Sequence, residues 1–188
     1  MDTVTLRTAR LELSPPREGD ADAIFAACQD ETLQRYTTVP SPYTREHAEG
    51  FIEKSRGWWE SGSEATWAIR DGDTLVGMIG LHRLGDGAGE IGYWMAAPAR
   101  GRGLLTEAAH SVIDWGFSAD GLALKRIEWR AVVGNTASAR AARALGFRFE
   151  GTLRQALANG AGVRDDGWIA GLLPSDDRTP QHWPPLES

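Results

Sequence analysis

"EIGYWMAAPARGRGLLTEAA", residues 90–109, is the stretch whose reading decides the fold. An apolar strand ends at Met95 or Ala96, a loop runs through residues 98–103, and a helix begins at about Leu104. The first turn of a helix has unpaired N–H groups and the positive end of the macrodipole, so it attracts anionic oxygens. Gly101 and Gly103 let a ligand approach the backbone closely, and Arg100 and Arg102 are placed to add charge-assisted hydrogen bonds. Two common phosphate loops do not fit. A Walker A loop has Lys and Ser or Thr after its last glycine, where Leu104 and Leu105 stand here, and a dinucleotide fingerprint needs G-x-G-x-x-G in a parallel βαβ unit. The alternative at this point is a plain glycine-rich turn with surface arginines.

The chain around this loop has 188 residues and a formal net charge of −6, which predicts one domain and argues against a nucleic-acid coat protein. A single cysteine, Cys28, excludes an internal disulfide and a cysteine-rich metal site. His47, His82, His110 and His182 lack metal-ligand spacing, so no metal is expected. No apolar leader or span is visible, which predicts a cytoplasmic protein with no membrane or nucleic-acid partner.

"VTLRTARLELSPP" reads as a first strand stopped by proline, and a helix follows from Asp20. A second helix takes Thr44 as N-cap and His47 at its third position, ending at Gly62. "ATWAIRDGDTLVGMIGLHRLGDGAGEIGYWM" is a three-stranded antiparallel meander, with "DGD" as its firmest hairpin signal. A long helix follows Gly103, then a strand "LKRIEWRAVV", a short helix from Asn135 to Gly146, and two last strands. This order predicts an α+β fold, with a mixed sheet of about seven strands and about four helices. The domain is expected over 1–174, with 175–188 a proline-rich irregular tail.

The loop "ARGRGLLTEA" resembles the acyl-CoA pyrophosphate loop of the GNAT superfamily of N-acetyltransferases, with Arg100 and Gly103 in register. Leu105 departs from the small residue of that pattern and sets a larger side chain near the expected pyrophosphate. "VVGNTASARAARALGFRFEGTLR", residues 132–154, is similar to a segment of the ribosomal-protein N-terminal acetyltransferase branch, the RimJ/RimL-like group, through Asn135, Ser138, Gly146, Phe147, Glu150, Gly151, Leu153 and Arg154. "LRTARLELSPPREGDADAIFA" and "RDDGWIAGLL" extend the likeness across most of residues 5–173.

The resemblance implies the GNAT fold, with a splay between the fourth and fifth strands. It implies acetyl-CoA as cosubstrate, and acetyl transfer to a primary amine by direct attack in a ternary complex. The cofactor contacts it implies are Met95, Ala96, Ala97, Arg100, Gly101, Arg102, Gly103, Leu104, Leu105, Thr106, Asn135 and Ser138. An N–H of Met95 or Ala96, near a bulge, is the expected donor to the acetyl oxygen. Glu90 is the expected base for the amine, and Ser138 the expected donor to the leaving sulfur, because no tyrosine follows Tyr93. Cys28 reads as a buried hydrophobe rather than an acyl-carrying nucleophile.

Tyr36, Trp58, Trp59, Glu90 and Asp166 are candidates for the acceptor site. The acceptor is expected to be a protein or peptide N-terminal α-amine. The alternatives are a small-molecule amine such as an antibiotic, polyamine or amino acid, and a GNAT-fold sensor that binds acyl-CoA without turnover. The resemblance leaves monomer and homodimer both open.

Overall fold

The computed structural model describes residues 1–187. Its sheet grows from the central meander, whose turns are written into the sequence. Between β3 (Ala65–Asp71) and β4 (Thr74–Gly85), Gly72 at φ +60° takes the first central position of a two-residue turn. Between β4 and β5 (Ala88–Met95), Asp86 and Gly87 both have positive φ, which is the type I′ requirement.

β5 then enters the loop and α4 (Leu104–Phe117), whose return crossover makes β6 (Arg126–Val132) parallel to β5. β7 (Arg148–Ala158) and β8 (Arg164–Leu172) complete an eight-stranded sheet in the order β1-β2-β3-β4-β5-β6-β8-β7. α5 (Thr136–Ala144) connects β6 to β7.

The sheet has one strand more than expected, because the first predicted strand is two: β1 (Leu6–Arg7) and β2 (Leu11–Ser14) form a tight antiparallel pair. No glycine or proline marks their turn. The Thr8 hydroxyl accepts from the Leu11 N–H and donates to Glu107 at 2.6 Å, so a residue of α4 holds the corner.

There is also one helix more. Between α1 (Ala21–Ala27) and α3 (Arg45–Ser61) lies α2 (Glu31–Tyr36), capped by the Asp30 carboxylate, which accepts from the Leu33 N–H at 2.8 Å. The expected cap of α3 is present: Thr44 is its N-cap, the His47 ring accepts from the Thr44 N–H, and Gly62 closes it in the left-handed region.

Alternation along the strands divides the core between two faces. Ala65, Trp67 and Ile69 of β3 belong to the core cluster that α4 and α5 also join, whereas Ala68 belongs to the cluster of α1, α2 and α3. Within that second layer, Arg70 reaches Asp20 through two bonds of 2.8 and 2.7 Å, both residues being buried. Residues 175–187 are irregular apart from one 3₁₀ turn at Pro184–Leu186, yet Trp183 is 0% exposed and sits in the first core. Among the described residues, no helix is long and apolar enough to cross a membrane.

Candidate active site

β5 and β6 pair over only four rungs, from Ala88↔Arg126 to Ile91↔Trp129. β5 continues to Met95 alongside β4 alone, and β6 continues to Val132 alongside β8 alone. The expected splay is therefore present, between what are now β5 and β6. A wedge of side chains occupies its apex: the Trp129 indole N–H reaches the Tyr93 hydroxyl at 3.0 Å and the Ser138 hydroxyl at 3.1 Å.

The edge of β5 that faces this slot follows from its pairing on the other side. Ala96 N–H donates to the Val76 carbonyl at 2.9 Å, and antiparallel alternation then directs Tyr93 and Met95 N–H away from β4 and into the slot. Of the two expected oxyanion donors, Ala96 is thus already paired with β4, and Met95 is the one that points into the slot. The expected bulge is not at this end. Register runs unbroken from Gly77↔Met95 to His82↔Glu90, and the irregularity falls between His82 and Gly85.

Beyond Met95, a 3₁₀ turn (Ala97–Ala99) leads to Gly101 and Gly103, at φ +74° and +75°. Left-handed residues on either side of Arg102 turn successive N–H groups toward one point, the geometry of an anion nest. Among the described residues, no protein acceptor meets the N–H groups from Gly101 through Arg102, Gly103, Leu104 and Leu105 to Thr106. Leu105 turns its side chain against the core, so its bulk stays clear of these groups.

The loop arginines are engaged by neighbouring elements. Arg100 donates to the Met95 carbonyl at 3.0 Å and grips Asp30 with two nitrogens at 3.1 Å. Its guanidinium holds the Asp30 carboxyl below the usual carboxylate range. Arg102 pairs with Asp71 at 2.7 Å, and Arg10 donates to the Arg102 carbonyl. Both arginines therefore brace the loop against neighbouring elements. The capacity for an anion rests on the backbone N–H groups, which sequence reasoning also identified.

Bracing by Arg100 fixes α2 over the slot. The Asp30 end of α2 is tied to Arg100 beside β5. At the other end the Tyr36 hydroxyl meets the Gly134 carbonyl after β6 at 3.5 Å, and Arg35 pairs with Asp165 of β8 at 2.7 Å. A six-residue helix is about 9 Å long, enough to bridge two strands that have parted. Nearby, the β7–β8 hairpin tip meets the α2–α3 connection so closely that a Cβ on Gly160 would lie 1.8 Å from the Val39 carbonyl oxygen.

The remaining candidates divide. Asn135 caps α5, its Oδ1 accepting from the Ser138 N–H at 3.2 Å, which leaves its NH₂ as the group available to a ligand. Glu90 is 19% exposed and its carboxylate is taken: Arg83 donates to it at 2.9 Å and Arg130 Nε stands 3.6 Å away. Its lone pairs face guanidinium groups rather than the slot, which argues against the role expected of it.

Trp59 is 1% exposed, packed edge-on against Trp67 and bonded to the Thr66 carbonyl, so it is core and not an acceptor wall. Trp58 rests on Phe51 along α3, which packs chiefly on α1 and β3. Asp166 accepts from the Gln155 N–H at 2.8 Å and holds an irregularity of β7; its neighbour Asp165 is the one that faces α2.

Sequence reasoning missed Tyr93. Period two places it on the face of Ile91 and Met95, opposite Glu90, and its hydroxyl lies 3.1 Å from that of Ser138. The last tyrosine of the chain, on the strand before the loop, thus brings its hydroxyl to Ser138. Burial pushes its phenol up to about 12.

The splay and the N–H nest are features of one fold family, and residues 10–148 match the family described as acetyltransferase (GNAT) domain. The chain belongs to the GNAT acetyltransferases. It is 34% identical over 154 residues to the Bacillus subtilis (strain 168) protein called "Uncharacterized N-acetyltransferase YoaA", spanning 80% of this chain and 86% of that one. A crystal structure of a "Probable acetyltransferase" superposes with a TM-score of 0.80 at 26% identity, over 91% of this chain and 97% of the other. The fold is also that of RimL, solved as "Ribosomal L7/L12 alpha-N-protein acetyltransferase" with coenzyme A (TM-score 0.81, 20% identity, 90% and 98% of the two chains).

Cys28 stays outside this GNAT site. It is 1% exposed, and burial pushes its thiol up to about 11 against an opposing hydrogen bond from Tyr43. At pH 8 roughly one molecule in a thousand then carries a thiolate. Native protein is expected to resist alkylation until it unfolds, and Cys28→Ser to keep full turnover. Rapid stoichiometric labelling of folded protein, or loss of turnover in the variant, would contradict this.

Proposed function

We propose that this GNAT acetyltransferase moves the acetyl group of acetyl-CoA onto the α-amine at the N-terminus of a protein or peptide, with both substrates bound together. The observation that carries the reading is the β5–β6 slot, which runs from the Tyr93–Ser138–Trp129 wedge to the free N–H groups of residues 101–106. Acetyl-CoA supplies the activated carbonyl.

The chain's own groups have the following parts. The unpaired β5 edge offers amide partners to an amide-bearing arm, and the Asn135 NH₂ adds another. Met95 N–H is the donor aimed at the carbonyl oxygen as charge develops there. The nest holds the pyrophosphate through N–H groups rather than through Arg100 or Arg102.

A peptide acceptor is favoured by the surface on the other side of the slot. His82, Glu90, Glu128, Arg130 and Arg126 form a half-exposed floor across β4, β5 and β6 rather than a closed cavity. An extended chain covers such a floor, whereas a small amine leaves most of it in water.

The test pairs calorimetry with thiol release. One acetyl-CoA is expected to bind per chain. Thiol release is expected with peptides bearing a free N-terminus, and not with the same peptides N-acetylated and carrying only lysine. Folded protein that binds no acetyl-CoA, or turnover confined to lysine or to small amines, overturns the reading.

A further inference from the structure

Glu90 is engaged by two arginines, yet the floor beside the slot holds another titratable pair, His82 and Glu64. His82 stands in β4 opposite Glu90, and the next cross-strand pair on the same face, toward the slot, is Gly80↔Gly92. Gly92 is also the first residue of β5 beyond its last rung with β6. Two glycines facing each other leave a hollow, and the imidazole lies in it.

A Cβ on Gly92 would stand 2.9 Å from Cδ2 and Nε2 of the ring, and one on Gly80 would stand 2.9 Å from Cε1 and 3.1 Å from Nε2. The ring is thus folded back from its own position toward the mouth of the splay. Its Nδ1 lies 2.8 Å from Glu64 Oε2. In the neutral imidazole that contact places the proton on Nδ1, donated to the carboxylate, and leaves the lone pair on Nε2. The side chain is 29% exposed, so a proton received there has a path to water.

We propose that His82, oriented by Glu64, takes the proton from the acceptor amine. The proposal rests on the N-acetyltransferase reading and deepens it. The ammonium form R–NH₃⁺ gives one proton to Nε2 and through it to solvent, and the freed lone pair forms the N–C bond to the acetyl carbon. The C–S bond breaks, its electron pair leaving on sulfur, and a second amine proton is lost as the amide forms and ends on the thiolate. The products are the acetylated amine, free thiol and one released proton.

The charged groups around the ring are Glu64 before β3, Glu90 on β5, and Arg83 next along β4, with Arg83 and Arg130 balancing Glu90. An imidazole base also selects its substrate. To any one base, an α-amine near 8 gives up its proton about 250-fold more readily than a lysine near 10.4.

The decisive experiment is the pH profile of kcat/KM for thiol release with a free N-terminal peptide, in the wild type, His82→Gln and Glu64→Gln. Acetyl-CoA affinity is measured in parallel by calorimetry. His82→Gln is expected to lose about 100-fold or more in kcat/KM at pH 7 and to move the acid limb of the profile up to that of the amine itself, with acetyl-CoA affinity unchanged. Glu64→Gln is expected to lose less and to move that limb.

Wild-type rates and an unaltered limb in both variants overturn the role of His82 while leaving the acetyltransferase reading intact. A wild type that binds acetyl-CoA but releases thiol with no amine overturns both.

Discussion

Trp183→Ala is expected to lower the unfolding free energy by about 3–5 kcal/mol, the range for deleting a buried aromatic. Trp183 is 0% exposed, donates its indole N–H to the Phe147 carbonyl at 3.0 Å, and stacks at an angle on Trp129 (5.4 Å) and Phe149 (5.5 Å). Neighbouring residues strap the segment down. Arg178 pairs with Asp114 of α4, Asp176 with Arg148, and the Arg178 backbone passes so near Gly146 that a Cβ there would come within 2.3 Å.

Urea denaturation of Trp183→Ala and of a chain ending at residue 174 measures the effect. A loss below 1 kcal/mol in both would show that the segment only lies on the surface. The consequence reaches the site, because the face of Trp129 that receives Trp183 belongs to the indole that wedges the splay. Turnover of Trp183→Ala is accordingly expected to fall at temperatures where the variant is still folded.

Trp183 also shows which features were readable in the sequence. Those written in neighbouring residues were: the Gly72 and Asp86–Gly87 hairpins, the Thr44–His47 cap, and the glycine pair that opens the nest. The unread ones are made by residues far apart in the chain. The β1–β2 corner is held by Glu107, 99 residues from Thr8. The pairing of Arg100 with Asp30 spans 70 residues. Period two places Glu90 on its strand face, but nothing local tells that Arg130 arrives from a parallel neighbour across the crossover. α2 is too short to show a period, although Asp30 preceding it is a legible cap. The splay came from the family resemblance, and what wedges it open, Trp129 between Tyr93 and Ser138, required the tertiary structure.

That wedge carries the other large expected effect. Tyr93→Phe and Ser138→Ala are each expected to lower kcat about 100-fold, with little change in acetyl-CoA affinity. We propose hydrogen bonding to the leaving sulfur, rather than proton delivery, as the reason. A phenol raised to about 12 would transfer its proton to a thiolate near 8.5 uphill by roughly 3.5 units, or about 5 kcal/mol. The pair instead has hydroxyl protons to share: Ser138 donates to Tyr93, Tyr93 to the Ser138 carbonyl, and Trp129 N–H to both oxygens. When Ser138 turns toward sulfur, Trp129 still donates to its oxygen, which strengthens the bond given away.

Because the two hydroxyls act as one unit, the double variant is expected to lose little more than the worse single one. A thioester whose thiol is more acidic needs less help to depart, so the penalty of each variant is expected to shrink with such a substrate. Additive losses, or one penalty for both thioesters, would leave the wedge as packing alone. The sign of this substrate dependence separates a group that meets the developing charge from one that merely shapes the slot.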